Sequence, residues 1–129
     1  MRLIIAGSRS LANHPNPGVV MDAAIAYAEG RRLDVSKITE VIEGEARGAD
    51  LEGKAWAVRN GIPVREMSAQ WRKGGRYNPR AGFERNETMA EAGTGLLVVW
   101  DGQSTGSRDM MRRARRHYLP TWVYTFKPK

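Results

Sequence analysis

Gly44-Glu45-Ala46-Arg47-Gly48-Ala49-Asp50 directly follows the apolar run 38–43 and leads into a helical pattern over residues 49–60. A buried strand that passes through a glycine-rich turn into a helix is typical of an open parallel α/β sheet. In such a sheet the turn lies at the carboxyl edge of the strands, where ligands bind. Glycine lets the backbone come close to a ligand, and the free N–H groups at the start of the helix attract an anion.

A second turn of the same kind, Asp101-Gly102-Gln103-Ser104-Thr105-Gly106-Ser107, follows the apolar run Leu96–Trp100. Its glycines alternate with hydroxyl side chains, and a helical pattern begins at Ser107. Two such turns in one short chain predict a ligand that carries phosphate, most simply a nucleotide.

Strand and helix patterns alternate along the chain. Apolar runs predict strands over residues 2–6, 38–43, 62–66, 96–100 and 121–126, and helical spacing predicts helices over 17–29, 49–60, 79–92 and 107–118. This alternation argues for a parallel sheet with right-handed crossovers. We therefore predict the α/β class, with a single Rossmann-like three-layer domain over residues 1–129 and a mainly parallel sheet of about five strands.

The remaining segments carry weaker patterns. Residues 11–15 are predicted to be irregular, residues 67–78 to be loop, and the basic tail 127–129 to fray. The apolar residues expected to face inward from the helices are Leu51, Ala55, Val58, Phe83, Met89, Met110, Met111 and Ala114.

Composition narrows the class of protein. The chain has 129 residues, 41% of them hydrophobic, and contains no cysteine, which excludes disulfides, thiol nucleophiles and cysteine metal sites. Its two histidines are far apart, so we expect neither a metal nor a cofactor. No signal peptide or membrane span is recognised, and we expect a cytoplasmic protein. The net charge of +7 favours an anionic partner: a nucleotide, a nucleic acid or an acidic protein.

The candidate ligand-binding residues share positions at strand ends or on the helices that follow them. They are Gly7, Ser8, Arg9, Gly44, Arg47, Gly48, Asp50, Arg85, Asn86, Asp101, Gly102, Ser104, Gly106 and Ser107. An arginine here can bind phosphate through two hydrogen bonds, whereas a carboxylate beside phosphate is repelled. Asp50 is therefore either a helix cap or a ribose acceptor, and Asp101 either faces a ribose or base edge or anchors its loop.

Two basic segments leave alternatives open. Arginines crowd the last helix at Arg108, Arg112, Arg113, Arg115 and Arg116, where they form either a solvated face or a nucleic-acid-binding stripe. The loop Trp71–Tyr77 combines aromatic and basic residues, which fits stacking against bases, a lid over a nucleotide or a dimer contact.

These motifs resemble the YspA-type branch of the SLOG superfamily, whose relatives include the Lonely-guy phosphoribohydrolases and the DNA-processing protein DprA. The segments that carry the resemblance run from Arg2 to Tyr124: the turn 44–50, Gly61-Ile62-Pro63-Val64, Trp71, Arg85-Asn86 with Met89, and Trp100-Asp101-Gly102 with Ser104, Gly106 and Ser107. The resemblance implies a Rossmann-like sheet, a site for nucleotide-derived ligands, and Arg85 and Asn86 facing the ligand. By analogy it also implies dimers or larger assemblies, with Trp71, Tyr77 and Trp122 as candidate contacts.

The chain departs from the hydrolases at one decisive position. Their loop has the pattern Pro-Gly-Gly-x-Gly-Thr-x-x-Glu, and here Ser107 stands at the threonine position and Met110 at the glutamate position, with Asp109 just before it. Methionine cannot move a proton, and Asp109 is about 100° away around a helix. Arg85 and Asp109 are the candidate catalytic residues if the protein is an enzyme.

Three functions follow from these observations. The leading hypothesis is binding, for sensing or sequestration, of a nucleotide or a nucleotide-derived ligand such as an ADP-ribose-like molecule, through glycine-rich phosphate-binding loops. The alternatives are a nucleoside-monophosphate phosphoribohydrolase or related N-glycosidase, and a module that binds single-stranded nucleic acid.

Overall fold

The computed structural model describes residues 1–128, so the last residue of the tail predicted to fray lies outside the described part. Seven strands, four α-helices and two short 3-10 helices, Arg9–Asn13 and Val35–Lys37, are described. The strands and α-helices are labelled in chain order. They run in the order β1 Arg2–Gly7, α1 Pro17–Glu29, β2 Glu40–Glu43, α2 Ala49–Arg59, β3 Val64–Glu66, β4 Arg72–Lys73, β5 Arg76–Tyr77, α3 Ala81–Ala92, β6 Gly95–Trp100, α4 Thr105–Arg116 and β7 Thr121–Thr125.

Five strands form one parallel sheet in the order β3-β2-β1-β6-β7, which confirms the predicted α/β, Rossmann-like class. The central strand β1 is buried on both faces because its side chains alternate between two cores. Leu3 and Ile5 pack with α1 and α2, whereas Ile4 and Ala6 pack with the residues under α3 and α4. Among the described residues, no helix has both the length and the apolar character that crossing a membrane requires.

The side of the sheet on which successive strands are added changes at β1. From β1 the chain crosses to β2 and then β3 on one side, and it returns to β6 and β7 on the other side. The carboxyl ends of β1 and β6 therefore flank a topological switch point, where the loops diverge and leave a crevice.

Two segments differ from the prediction. Arg9–Asn13 forms a short 3-10 helix rather than an irregular stretch, because Leu11 is fully buried beneath it. The loop predicted over residues 67–78 contains a hairpin of two short strands, β4 and β5, which turn through Gly74 and Gly75.

The inward faces of two helices were also predicted wrongly. Leu51 and Val58 are 42% and 64% exposed, because α2 approaches the sheet through smaller residues and Trp56 instead. Phe83 is 43% exposed rather than buried in the core. Met89, Met110, Met111 and Ala114 are buried as predicted.

Candidate functional site

A cavity of about 380 Å³ opens at the carboxyl edge of the sheet, at the switch point beside β1 and β6. Its walls come from the exit of β1, the start of α2, Trp71 with the first half of α3, and the start of α4. This volume and this position in the fold are typical of small-molecule sites.

Nine of the fourteen predicted ligand-binding residues line this cavity. They are Gly7, Arg9, Asp50, Arg85, Asn86, Asp101, Ser104, Gly106 and Ser107. The other five are absent from its lining: Ser8, Gly44, Arg47, Gly48 and Gly102. The structure thus brings together residues 94 positions or more apart in sequence, such as Arg9 and Ser104.

Ser8 and Asp101 hold the second loop in place. Ser8 is 1% exposed, and its Oγ accepts a hydrogen bond from the Asp101 N–H at 2.9 Å. Asp101 Oδ1 accepts from the N–H groups of Gln103 at 2.9 Å and Ser104 at 2.8 Å, and Oδ2 accepts from Ser10 Oγ at 2.8 Å. Burial opposes ionisation of Asp101, but these hydrogen bonds outweigh it and lower the pKa. Asp101 therefore anchors its loop, one of the two roles that the sequence left open.

The first loop packs too tightly against its neighbours for its glycines to face the cavity. A side chain at Gly44 would collide with the guanidinium of Arg85. Gly48 adopts φ +88°, and a Cβ there would collide with the backbone of Ser8 and Arg9. These glycines therefore let the chain pass close to Arg85 and to the exit of β1, which is a structural role.

Asp50 occupies the position in this loop that a bound anion was expected to take. It is 4% exposed, and its Oδ2 accepts a hydrogen bond from the Ala46 N–H at 3.2 Å. Burial raises the pKa of Asp50 to about 6, against the opposing effects of the Arg85 charge and the N–H groups of Ala46 and Gly44. The loop thus uses its own carboxylate as the acceptor for the Ala46 N–H group.

Arg85 is held in place by hydrogen bonds to two neighbours. Its Nη1 donates to the Gly44 carbonyl oxygen at 2.6 Å, and its Nε donates to Asn86 Oδ1 at 3.2 Å. Since side-chain entropy is already lost in these contacts, the guanidinium faces the cavity as a preorganised cation.

The start of α4 offers a second positive group. Ser104 caps the helix by accepting the Ser107 N–H at 3.3 Å, and Asn86 Nδ2 donates to the Gly106 carbonyl oxygen at 3.2 Å. Among residues 1–128, the N–H groups of Thr105 and Gly106 have no acceptor. The first turn of α4 therefore presents free donors and the positive end of the helix dipole to the cavity.

Aromatic side chains form the opposite wall. Trp71 and Phe83 both line the cavity, at 38% and 43% exposure. Trp71 also stacks on Tyr77 of the hairpin, with ring centroids 6.2 Å apart and planes 7° from parallel. Flat apolar surfaces that stay exposed at a cavity mouth are suited to stacking against a planar ligand.

Sequence reasoning did not assign the apolar part of the lining to the site. The unassigned lining residues are Ala6, Ser10, Ala46, Trp71, Pro79, Gly82, Phe83, Met89, Thr105 and Met110. The sequence signal at Trp71 was noted as a lid or stacking loop, whereas Phe83 was assigned to the core because its spacing is helical. Spacing alone does not separate a core face from a cavity face.

Asp109, a candidate catalytic residue, is engaged in contacts between α3 and α4. Its Oδ2 accepts from Asn86 Nδ2 at 3.1 Å and from Arg113 Nε at 2.8 Å. Arg113 Nη1 also donates a hydrogen bond to Glu87 Oε1 at 3.2 Å, and Glu87 Oε2 lies 2.7 Å from His117 Nε2. Asp109 does not line the cavity, whereas Met110 does. The carboxyl groups that do line it are those of Asp50 and Asp101.

Three further carboxylates meet beside the first loop, on the α2 side of the sheet. Carboxyl oxygens of Glu43, Glu45 and Glu66 lie within 4.8 Å of one another, a grouping that hard cations favour. Glu43 is fully buried, its Oε1 accepts the Glu45 N–H at 2.7 Å, and its Oε2 has no partner among the described residues. Burial raises the pKa of Glu43 to about 7, and Lys54 forms an ion pair with Glu66.

Comparisons of the chain with models of protein families, with curated proteins and with solved structures find no significant match. The geometry of the cavity and the chemistry of its lining are therefore the basis for assigning a function.

Proposed function

We propose that this protein binds a nucleotide or a nucleotide-derived ligand, such as an ADP-ribose-like molecule, in the cavity beside β1 and β6. One observation carries the proposal: a single cavity of about 380 Å³ combines two arginines, a free helix N-terminus and two exposed aromatic rings. A ligand with a phosphate at one end and a flat ring at the other matches all of these groups.

The phosphate belongs at the start of α4. The free N–H groups of Thr105 and Gly106 and the Thr105 hydroxyl supply donors there, and Arg9 and Arg85 supply charge. The α4 loop offers its free N–H groups at the cavity, because Thr105 and Gly106 both line it, whereas Arg47 and Gly48 of the first loop do not.

The base belongs at the aromatic wall. Trp71 and Phe83 offer stacking surfaces that every base accepts, because each base has a π-face. Between the two ends, the carboxylates of Asp50 and Asp101 offer acceptors suited to ribose hydroxyls. The output of such binding would be sensing or sequestration.

The test is a thermal-shift screen against nucleoside monophosphates, NAD and ADP-ribose, with wild-type protein and Arg85→Ala in parallel. A ligand that binds only the folded state raises the melting temperature. We expect a shift in the wild type that falls at least severalfold in Arg85→Ala, because a charge-assisted contact of about 1.5–3 kcal/mol is lost. Arg80→Ala is the matched control, since Arg80 is exposed, immediately precedes α3 and does not line the cavity. Equal shifts in all three proteins would refute the site.

A second candidate, hydrolysis of an N-glycosidic bond, rests on Asp50. This carboxyl group lines the cavity, is buried, and has a pKa raised by burial to about 6, which suits proton transfer near neutral pH. In that reaction water would add to C1′ of the sugar while the base leaves and takes up a proton.

Mass spectrometry of the screened mixtures separates the two candidates. Intact ligand at the end of the incubation supports binding alone, whereas free base that disappears in Asp50→Asn would establish hydrolysis. Free base released equally by Asp50→Asn would remove Asp50 from the reaction.

A further inference from the structure

The outward face of α4 carries four arginines that the cavity does not use. Arg108, Arg112, Arg115 and Arg116 are exposed, and in residues 1–128 none of them forms an ion pair. By helical geometry they lie on one stripe, roughly 100° wide and roughly 12 Å long. We call these four residues the α4 arginine stripe.

The helix dipole explains only part of this arrangement. Cations near the C-terminal end of a helix are stabilised by the dipole, which accounts for Arg115 and Arg116. Arg108 lies near the start of α4 and Arg112 in its middle, where the dipole gives no such benefit. Spacings of three and four residues also place Arg112 beside the other three arginines, and like charges at these spacings destabilise a helix. The free protein thus keeps a repulsive cluster that an anionic partner would relieve.

Arg113, on the same helix, is an arginine with a structural role. It pairs with Asp109 at 2.8 Å and with Glu87 at 3.2 Å, and its side chain is 21% exposed. The stripe arginines have no such partners among the described residues. Their charges are therefore free for a partner outside the chain.

A groove beside the stripe adds an aromatic surface. It is lined by Trp100 and Met111 together with the four stripe arginines. The guanidinium carbon of Arg108 lies 5.7 Å from the centre of the Trp100 ring. Arginines along a groove that contains an aromatic side chain are the combination that tracks phosphates and stacks bases in single-stranded nucleic-acid sites.

From these observations we infer that the α4 arginine stripe binds the phosphodiester backbone of a single-stranded nucleic acid, at a surface separate from the nucleotide cavity. The repeating phosphates of a strand match a row of arginines better than an isolated anion does. The groove at Trp100 receives a base, which a duplex cannot offer without unpairing.

The test is fluorescence anisotropy with a labelled oligothymidylate of about 20 nucleotides, titrated between about 50 and 200 mM salt. One variant replaces all four stripe arginines with glutamine, which lowers the formal net charge from +7 to +3. A control variant with the same net charge replaces Arg31, Arg32, Lys37 and Arg59 with glutamine. The first three lie between α1 and β2, and Arg59 is the last residue of α2. Thermal melting verifies that both variants fold.

We expect the wild type to bind with a steep salt dependence. The stripe variant should lose at least tenfold in affinity, and the slope of log K against log salt should fall by about 3, because each lost phosphate contact on a single strand contributes about 0.7. The control variant should keep most of the affinity and most of the slope. Arg85→Ala should leave oligonucleotide affinity unchanged, because the stripe and the cavity are separate surfaces.

Four outcomes would overturn the inference. Wild-type protein that fails to bind at the lowest salt excludes a nucleic-acid surface, and equal losses in the two charge variants show that only net charge matters. Equal competition by a duplex refutes the single-strand assignment. Equal competition by polyglutamate reassigns the stripe to an acidic protein partner.

Discussion

At Glu43, burial of a single side chain changes its pKa. Glu43 stands at the carboxyl end of β2, fully buried, with Oε2 unpaired within residues 1–128. Its folded-state pKa of about 7 lies above the ordinary 4.5, since burial disfavours the charged form. The sequence placed this residue in a strand, but gave no sign that its carboxyl group would be desolvated, because desolvation depends on the packing of α2 over the sheet.

This pKa predicts a pH-dependent stability. Between pH 4.5 and 7 the unfolded chain loses the Glu43 proton before the folded protein does, so this residue lowers the free energy of unfolding as pH rises. Glu43→Gln removes that dependence. The loss of stability between about pH 5 and 8, measured by urea denaturation, should become smaller by about 2 kcal/mol.

Glu91→Gln is the matched control, because Glu91 is exposed and is not among the charges that shift the pKa of Glu43. It should leave the pH dependence of the wild type in place. A Glu43→Gln protein whose urea midpoint falls with pH as steeply as that of the wild type would show that Glu43 titrates normally.

The N-terminus of α4 is the element on which the proposed phosphate site depends. The sequence predicted the strand–turn–helix order and a serine cap, and Ser104 fills that role by accepting the Ser107 N–H at 3.3 Å. It did not predict that the equivalent turn before α2 would be occupied by Asp50. Each turn thus carries a carboxylate of its own: Asp50 accepts the Ala46 N–H, and Asp101 accepts the N–H groups of Gln103 and Ser104.

Removal of this cap should have two measurable effects. Ser104→Ala is expected to cost about 1 kcal/mol of stability, seen as a melting temperature lower by a few degrees, and to weaken ligand binding through a frayed first turn. Asn16→Ala is the control, since Asn16 stands at the N-cap of α1 without making a side-chain cap hydrogen bond. A Ser104→Ala protein no less stable than Asn16→Ala would show that the cap contributes nothing.

The hairpin of β4 and β5 is the element that sequence patterns missed. Its strands have only two residues each and are exposed, so they show no apolar alternation. The predicted inward face of α2 was wrong for a related reason. Leu51 and Val58 are more apolar than the small residues that face the sheet, so the hydrophobic pattern indicated the wrong face. Close helix–sheet packing there favours small side chains over hydrophobic ones.

The aromatic wall beside this hairpin makes a third prediction. Trp71→Ala should weaken nucleotide binding by about tenfold, because loss of base stacking costs about 1–3 kcal/mol, and Trp71→Phe should retain most of the affinity. Isothermal titration calorimetry measures both. Tyr118→Ala, at a residue 93% exposed and outside the cavity, should bind like the wild type. Equal affinity in Trp71→Ala and the wild type would place the base elsewhere.

At the scale of the whole molecule, the alternation of strands and helices was enough to predict the parallel sheet and the edge where its loops gather. It also predicted nine of the residues that line the cavity, because most of them stand at strand ends or at the start of the helix that follows; Arg85 and Asn86 lie within α3. The alternation of strands and helices did not predict the apolar lining, because Phe83 and Met110 face the cavity only as a result of how α3 and α4 pack against each other. The separation of the cavity from the α4 arginine stripe likewise follows from the orientation of α4.

The most direct test of the nucleotide site is amide chemical-shift mapping of the labelled protein with ADP-ribose and with a nucleoside monophosphate. We predict that the largest shifts fall on the amides of residues 105–107, on the Trp71 indole and on the loop 44–50, and that Arg85→Ala reduces them severalfold at the same ligand concentration. Shifts confined to the α4 arginine stripe, or no shifts at millimolar ligand, would contradict the proposed site.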